Sequence, residues 1–474
     1  MQTLQKRKEY FLPSGSFSRT YVGQDGIIRA VAYHTPTQSV AMLEGDSANV
    51  WQRIFDAKGK TEEALAYILD NGHFAGDPSV EAQAILDGFV ASLCNANLLV
   101  DLSVDVGAQR QPNVSTSTIR NVANASENAE TIIGQFMADN RIFYSLVLEL
   151  TYRCNERCVH CYCPEHRQTA EMTASQIAAL LDEFQSMGGM SLLITGGEVF
   201  ARKDIKVILQ DLERRNIVVN VISNLTMADE EDLELLANLN PRSIGCSIYS
   251  GTPTIHDKVT RLPGSWSRSV AAIRHLRDRS IPVIIKAPLM EINIHEWRAI
   301  EDLANELGCD VQFDVSITPK NDGKQSPIDL RVKDQAVLED LFSSRFYRIY
   351  KNEEPMVIAS EEQRDQALLC GAGSSGLAVG PDGTIRACIG LMNKIGHWPH
   401  ESLLHVWDHS SFFTAWTNQR LMDIAKCSTC QYFSFCNRCP GSWQLETGSV
   451  TEPANYTCYL ARIWSGCSMN STQC

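Results

Sequence analysis

Between residues 145 and 316, short apolar runs alternate with amphipathic stretches in a regular rhythm. The runs lie at 145–150, 191–195, 217–223, 243–249, 282–288 and 310–316, and Ile281-Pro-Val-Ile-Ile is apolar almost without break. Continuous apolar runs mark strands covered on both faces, the condition of a parallel sheet. Between them a 3.6-residue period predicts helices, for instance over 174–187, 204–214 and 294–307. Six strand–helix units predict parallel strands wrapped by helices, with ligands at the carboxyl ends of the strands.

The pattern upstream is different. Short alternating segments at 19–22, 27–32 and 39–43 precede helical patterns at 47–57, 61–71 and 80–95, and Asn97-Leu-Leu-Val-Asp101 reads as a last strand. Ser47 and Thr61 are candidate N-caps, the latter with Glu62 and Glu63 in the first turn. Three short strands, three helices and a wing predict a small winged-helix module over 1–103. Residues 104–140 are rich in Ser, Asn, Gln and Thr, a linker composition with helical pieces towards its end. The strand–helix region is assigned to 141–345 and a cysteine-rich region to 346–474.

At 474 residues the chain can build several cores, and 44% apolar residues is ordinary for a globular protein. A net charge of −14 argues against a nucleic-acid or anionic-membrane surface, since both need basic patches. No apolar run reaches a membrane span, and no apolar stretch follows the basic start, so a cytoplasmic protein is expected. Sixteen cysteines in a reducing compartment call for metal rather than disulfides.

The first apolar run leads into Thr151-Tyr-Arg-Cys154-Asn-Glu-Arg-Cys158-Val-His-Cys161. Three cysteines on one short loop can point three thiolates at a cubane iron–sulfur cluster and leave its fourth iron open. Zinc is the plainer reading, but zinc sites come as paired CxxC or CxxH hooks, and no second local hook follows. The loop resembles the signature of the radical S-adenosylmethionine (SAM) superfamily, CxxxCxxC with an aromatic residue before the last cysteine, a place filled here by His160. The resemblance implies an α/β fold with a partial (βα)6, TIM-like radical SAM barrel, and a [4Fe–4S] cluster on Cys154, Cys158 and Cys161. It implies that the open iron binds the amino and carboxylate groups of SAM. An electron from an external reductant, such as flavodoxin or ferredoxin, then frees a 5′-deoxyadenosyl radical that takes hydrogen from substrate. Cys163 falls outside the pattern and reads as an ordinary loop thiol.

The second run ends Thr195-Gly196-Gly197-Glu198, where two glycines allow close backbone approach to a ligand and a carboxylate can pair with a cation. It resembles the family's GGE motif, which implies contact with the methionine ammonium of SAM. The third ends Ser223-Asn224, either a ribose or carboxylate contact or a simple Asx or Ser turn. The fourth contributes Ser247 as a pocket candidate, with His256 and Asp257 ordering the loop beyond. Lys286 interrupts an apolar run and calls for a partner, SAM's carboxylate or an acidic side chain in the barrel mouth. Cys246 and Cys309 read as packing cysteines.

A second cysteine pattern closes the chain: Cys370, Cys388 within Gly383-Thr-Ile-Arg-Ala-Cys388, Cys427-Ser-Thr-Cys430, Cys436, Cys439 and Cys458. Cys427, Cys430, Cys436 and Cys439 alone would suit a zinc knuckle. The whole set resembles the SPASM domain of radical SAM maturases. That implies two auxiliary [4Fe–4S] clusters, three in all, one on Cys370, Cys388 and Cys439 and the other on Cys427, Cys430, Cys436 and Cys458. Two departures stand out: Asn437-Arg438 is one residue short of the usual spacer, and the first auxiliary group lacks a fourth ligand. An open iron, or a thiolate from Cys467, Cys474 or the substrate, are the alternatives for that place.

The N-terminal unit resembles the PqqD-like leader-recognition element of peptide-modifying enzymes, which takes an extended leader peptide as an added strand. A DNA-binding or merely buttressing winged helix is the alternative, and acidity weakens the DNA version. Together the resemblances imply a maturase of a ribosomally synthesised precursor peptide, forming a carbon–carbon, carbon–oxygen or thioether cross-link. A sulfatase-type (formylglycine-generating) maturase ranks second, because those relatives carry Asp after the GxxxxC cysteine where this chain has Ile389. A non-enzymatic iron–sulfur carrier ranks last, since it needs no Gly-Gly-Glu turn.

Overall fold

The computed structural model describes residues 10–102, 127–163, 170–347, 350–351, 354–355 and 367–469. The chain begins with β1 (Tyr10–Phe11), β2 (Ser16–Val22), β3 (Ile28–His34) and β4 (Ser39–Glu44). Helices α1 (Asp46–Asp56), α2 (Glu62–Asn71) and α3 (Pro78–Asn95) follow, then β5 (Val100–Asp101). Strands β2, β3 and β4 form an antiparallel sheet, while β5 returns to pair with β1. Alternation divides the sheet. Ala30, Ala32, Ala41 and Leu43 face Trp51, Ile54, Leu86 and Phe89 of the helices.

Helix α3 starts two residues before the expected 80–95, with Pro78 first and Asp77 accepting from Ser79 N–H. Helix α1 begins one residue earlier than expected, behind Gly45 at φ 57°, so Ser47 lies inside it. Thr61 holds the N-cap place of α2 but takes a helical backbone and makes no capping bond.

Part of the stretch assigned as linker is helix α4 (Glu127–Asp139), whereas residues 103–126 lie outside the described residues. Ile133 and Met137 of α4 pack with Tyr33 and Val40 on the sheet's second face and with Tyr144, Met190 and Val218 of the next unit. Polar contacts fix the joint. The Tyr33 and Tyr144 hydroxyls are 2.8 Å apart, Arg19 donates to the carbonyls of Gln185 and Gly189, and Asn216 Nδ2 donates to Ser18 O at 2.7 Å.

The strand–helix rhythm becomes β6 (Ser145–Glu149), α5 (Ala174–Ser186), β7 (Ser191–Thr195), α6 (Ile205–Glu213), β8 (Val218–Ser223) and α7 (Glu230–Asn238). It continues through β9 (Ser243–Ser247), α8 (Pro253–Thr260), α9 (Ser265–Asp278), β10 (Val283–Pro288), α10 (Trp297–Leu307), β11 (Asp310–Asp314) and α11 (Gln335–Phe342). Strands β6 to β11 are parallel and lie in chain order, as a right-handed β/α winding requires. Leu146, Leu148, Leu192, Ile194, Ile285 and their neighbours form the principal core between sheet and helices.

The cysteine-rich region joins that sheet. Gly376–Val379 pairs parallel with β6, and Thr384–Arg386 and Gly396–His397 extend it antiparallel to nine strands. Edge strand β11 lies at the opposite side. Helix Asn455–Met469 packs back against α11. Among the described residues no helix is long and apolar enough to cross a membrane.

Candidate active site

The cysteine loop leaves the carboxyl end of β6, and the turn after β7 is laced to it. Gly197 N–H donates to Thr151 O at 2.7 Å and Glu198 N–H to Arg153 O at 2.8 Å. A Cβ on Gly196, at φ 143°, would overlap the Thr151 carbonyl, and one on Gly197 the Arg153 carbonyl. The close approach these glycines allow is therefore to the cysteine loop itself.

Glu198 is fully buried. Its Oε1 accepts from Ser223 Oγ (2.6 Å) and Phe200 N–H (3.1 Å), and its Oε2 accepts from Asn224 N–H (2.7 Å). Burial raises its pKa against the pull of these donors. Ser223 Oγ and Asn224 Oδ1 accept from the amides two residues on, forming the Ser and Asx turns weighed in the sequence. Asn224 Nδ2 meets Asn155 Oδ1 at 3.2 Å and Cys154 Sγ at 3.9 Å. Glu198, Ser223 and Asn224 thus join two strand ends to the loop.

His160 is half-buried beside Tyr249, ring centroids 5.1 Å apart, and burial lowers its pKa to about 4. The Tyr249 hydroxyl donates to Cys158 Sγ at 3.9 Å. His256 Nδ1 accepts from Tyr249 N–H, and Asp257 accepts from Gly264 N–H, Ser265 Oγ and Trp266 N–H at the start of α9. Both residues order the loop.

Ser247 and Lys286 are cross-strand neighbours, with Gln312 beside Lys286 on the next strand. The Lys286 ammonium donates to Gln312 Oε1, the neutral amide of its neighbour on β11. Burial lowers the lysine's pKa.

Two groups escaped the sequence reading. Glu156, between Cys154 and Cys158, is buried; Cys158 Sγ donates to its Oε2 at 3.2 Å, and burial lifts its carboxyl to about 7. A spacer residue carries no periodic signal. Glu149 and Arg386 form a buried ion pair, with the Tyr152 hydroxyl donating to Glu149 Oε2 at 3.0 Å. Their separation of 237 positions hid it.

In the cysteine-rich region Cys427, Cys430, Cys436 and Cys458 line one small cavity with Trp443 and Arg438. Cys370, Cys388 and Cys439 lie near one another elsewhere; a Cβ on Gly390 would stand 3.8 Å from Cys439 Sγ and 3.9 Å from Cys388 Sγ. Their sulfurs accept backbone N–H groups of Ala372, Gly390 and Ser442 at 3.4–3.5 Å. Glu156 N–H does the same for Cys154. The Cys467 side chain and Cys474 lie outside the described residues.

Burial pushes the thiols of Cys154 and Cys436 up to about 12 and of Cys427 to about 11, so these sites disfavour bare thiolates. Iron would supply the compensating charge. Among the described residues no three His, Cys, Asp or Glu side chains converge as a single ion requires.

A parallel barrel with a three-cysteine loop after its first strand, laced to a Gly-Gly-Glu turn, defines a radical SAM enzyme. Residues 148–304 match the family model of the radical SAM superfamily, so the barrel is a radical SAM domain, which works with SAM and a [4Fe–4S] cluster. The AdoMet-dependent heme synthase of Methanosarcina barkeri is 24% identical over 332 residues, 66% of this chain and 95% of its own. The antilisterial bacteriocin subtilosin biosynthesis protein AlbA of Bacillus subtilis is 25% identical over 298 residues, 61% of this chain and 66% of its own. Streptococcus suis SuiB bound to precursor peptide SuiA superposes with a TM-score of 0.58 at 14% identity, covering 95% of this chain and 99% of SuiB.

Proposed function

We propose that the chain matures a ribosomally made precursor peptide by hydrogen abstraction and cross-link formation. The observation that carries this reading is the company the barrel keeps: a small sheet-and-helix unit fixed to the amino-terminal ends of its strands, and two separate groups of cysteines in the region that extends its sheet. The similarity to AlbA and the shared fold with SuiB support it. A heme synthase relative matches the chain over a comparable length; the resemblance of the N-terminal strands and helices to a leader-recognition element is what favours the peptide reading over it.

In this reading Cys154, Cys158 and Cys161 hold the SAM cluster, with Gly196, Gly197, Glu198, Ser223, Asn224, Ser247, His160 and Lys286 as its surroundings. Cys370, Cys388 and Cys439 hold one auxiliary cluster, and Cys427, Cys430, Cys436 and Cys458 another. When bound, SAM and its cluster supply a 5′-deoxyadenosyl radical able to take hydrogen from a core side chain. The protein's own work is positioning. The N-terminal unit, a PqqD-like winged helix, holds the leader and raises the local concentration of the core segment at the mouth. The buried walls around Glu198 and Tyr249 keep water out.

The test is anaerobic incubation of the reconstituted protein with dithionite, SAM and any short candidate precursor peptide found encoded near its gene. 5′-Deoxyadenosine should form, and the peptide should lose two hydrogens. The variant with Cys154, Cys158 and Cys161 all replaced by Ala should make neither product and hold less iron. Unmodified peptide in the presence of abundant 5′-deoxyadenosine would sink the peptide reading while sparing the radical SAM one.

A further inference from the structure

The cysteine loop is zipped to the end of α8, with Arg157 N–H donating to Thr260 O and Val159 N–H to Val259 O, both at 3.0 Å. Arg157 is exposed and folds its guanidinium over the loop, Nη1 donating to the carbonyls of Cys154 and Glu156 at 2.7 Å. Arg261 is the C-cap of α8, directly after Thr260. Arg268 lies in the opening turn of α9 and folds back over the connection, so that a Cβ on Gly264 would stand 3.2 Å from its Nη1. Arg268 is near enough to Glu156 for their charges to interact, as Arg157 and Lys320 are to Cys161. Arg157, Arg261 and Arg268 are all exposed, and none forms an ion pair with a described residue.

Two of the three sit where local energetics disfavour them. Arg261 takes φ 56°, a left-handed backbone that glycine or asparagine holds with less strain. The start of α9 favours an anion, yet its first turn holds no acid, and Arg268 places a cation there. Asp257, on α8, spends its carboxylate on Gly264 N–H, Ser265 Oγ and Trp266 N–H. Acids are plentiful in a chain of net charge −14, and Lys206, Arg215, Arg279 and Arg298 each hold one. Two locally unfavourable, unpaired cations on either side of one turn, beside the cysteine loop, mark a surface kept for use.

We propose that the surface formed by Arg157, Arg261 and Arg268 docks an acidic one-electron carrier protein, flavodoxin in class, which reduces the SAM cluster directly. Electron transfer weakens steeply with distance, so a donor must sit where the loop that holds the cluster reaches the surface. A chain this acidic repels an acidic carrier everywhere except at a local positive face, and exposed charges of that kind set the encounter rate and its salt dependence. The anionic flavin hydroquinone gives one electron to the oxidised cluster and becomes the neutral semiquinone, with no proton moved. Entry here bypasses the two cysteine groups of the C-terminal region. The inference rests on the radical SAM class of the barrel and not on the peptide reading.

The test is an NMR titration of isotope-labelled, oxidised bacterial flavodoxin with the reconstituted full-length protein. Amide signals around the flavin should shift, and binding should weaken as salt is raised. Combining Arg261→Gly with Arg268→Ala should raise the Kd about tenfold, while the urea midpoint holds or rises because both changes relieve local strain. Lys60→Ala, which removes an exposed cation of the N-terminal unit, should change nothing, and cytochrome c, a basic carrier, should not bind. In stopped flow, reduction of the cluster by flavodoxin hydroquinone should slow by a like factor in the double variant, with reduction by photoexcited deazaflavin unaltered. Arg268→Glu alone makes the same test should the double variant not fold. Absence of flavodoxin binding, equal affinity in parent and variant, affinity indifferent to salt, or equal slowing of both reductants overturns the proposal. No peptide is used, so failure of the peptide-maturase assay leaves this result readable.

Discussion

His256 is fully buried in α8, which follows β9, and burial lowers its pKa from 6.5 to about 4, with Asp257 opposing. Its Nδ1 accepts from Tyr249 N–H, so the neutral ring is the one the fold needs. Below its ordinary pKa the unfolded chain takes up a proton that the folded chain refuses, so stability falls with falling pH. The effect is absent above pH 6.5, grows as pH falls to about 4, and levels off beneath that. At 1.36 kcal/mol per unit it amounts to at most about 3 kcal/mol. Urea unfolding across that window should show the slope in the native chain and a reduced one in His256→Gln. Parallel pH profiles for the two would show that His256 carries none of it.

The turn between β7 and α6 shows why an element can be legible while its purpose is not. Gly196 and Gly197 are visible in sequence as a place where backbone passes close to something. The something is the Thr151–Arg153 backbone, which no local pattern identifies. Gly196→Ala meets both a left-handed φ and the Thr151 carbonyl. It should cost about 3 kcal/mol or more, lowering the urea midpoint and the iron retained after reconstitution together. A midpoint within error of the parent would show that the lacing is dispensable. The strands and helices themselves were legible wherever their period was clean. All six barrel strands and all three N-terminal helices occur within a few residues of expectation. The caps were less so: Ser47 and Thr61 look like caps, yet Gly45 and a helical Thr61 occupy the places. A cap is decided by backbone angles that arrive from the preceding turn.

At the scale of the molecule, three units share one continuous structure. The Glu149–Arg386 pair sits where the barrel's first strand meets the strand leading to Cys388, with both side chains nearly inaccessible. Removing one partner leaves a buried charge, so Glu149→Leu or Arg386→Met alone should cost about 3–5 kcal/mol. The double variant should recover most of that loss, since a buried ion pair replaced by apolar groups is often near neutral. Additive losses in urea unfolding of the singles and the double would show that the two charges act independently.

What the sequence determined by itself was whatever short-range pattern can carry: the strand–helix rhythm, the cysteine spacings and the compositional break near residue 104. Hydrophobic period reports local burial, and clustered ligands report a shared loop, without knowledge of the rest of the chain. Only tertiary structure decided the partners of those elements. It docked the helix at the end of the linker on the N-terminal sheet, drew a strand from the cysteine-rich region into the barrel's sheet, and placed Gln312 against Lys286. It also closed a cavity beside β11 from segments more than a hundred residues apart. Contacts of that kind are set by which surfaces fit, and no stretch of sequence holds both halves of the fit.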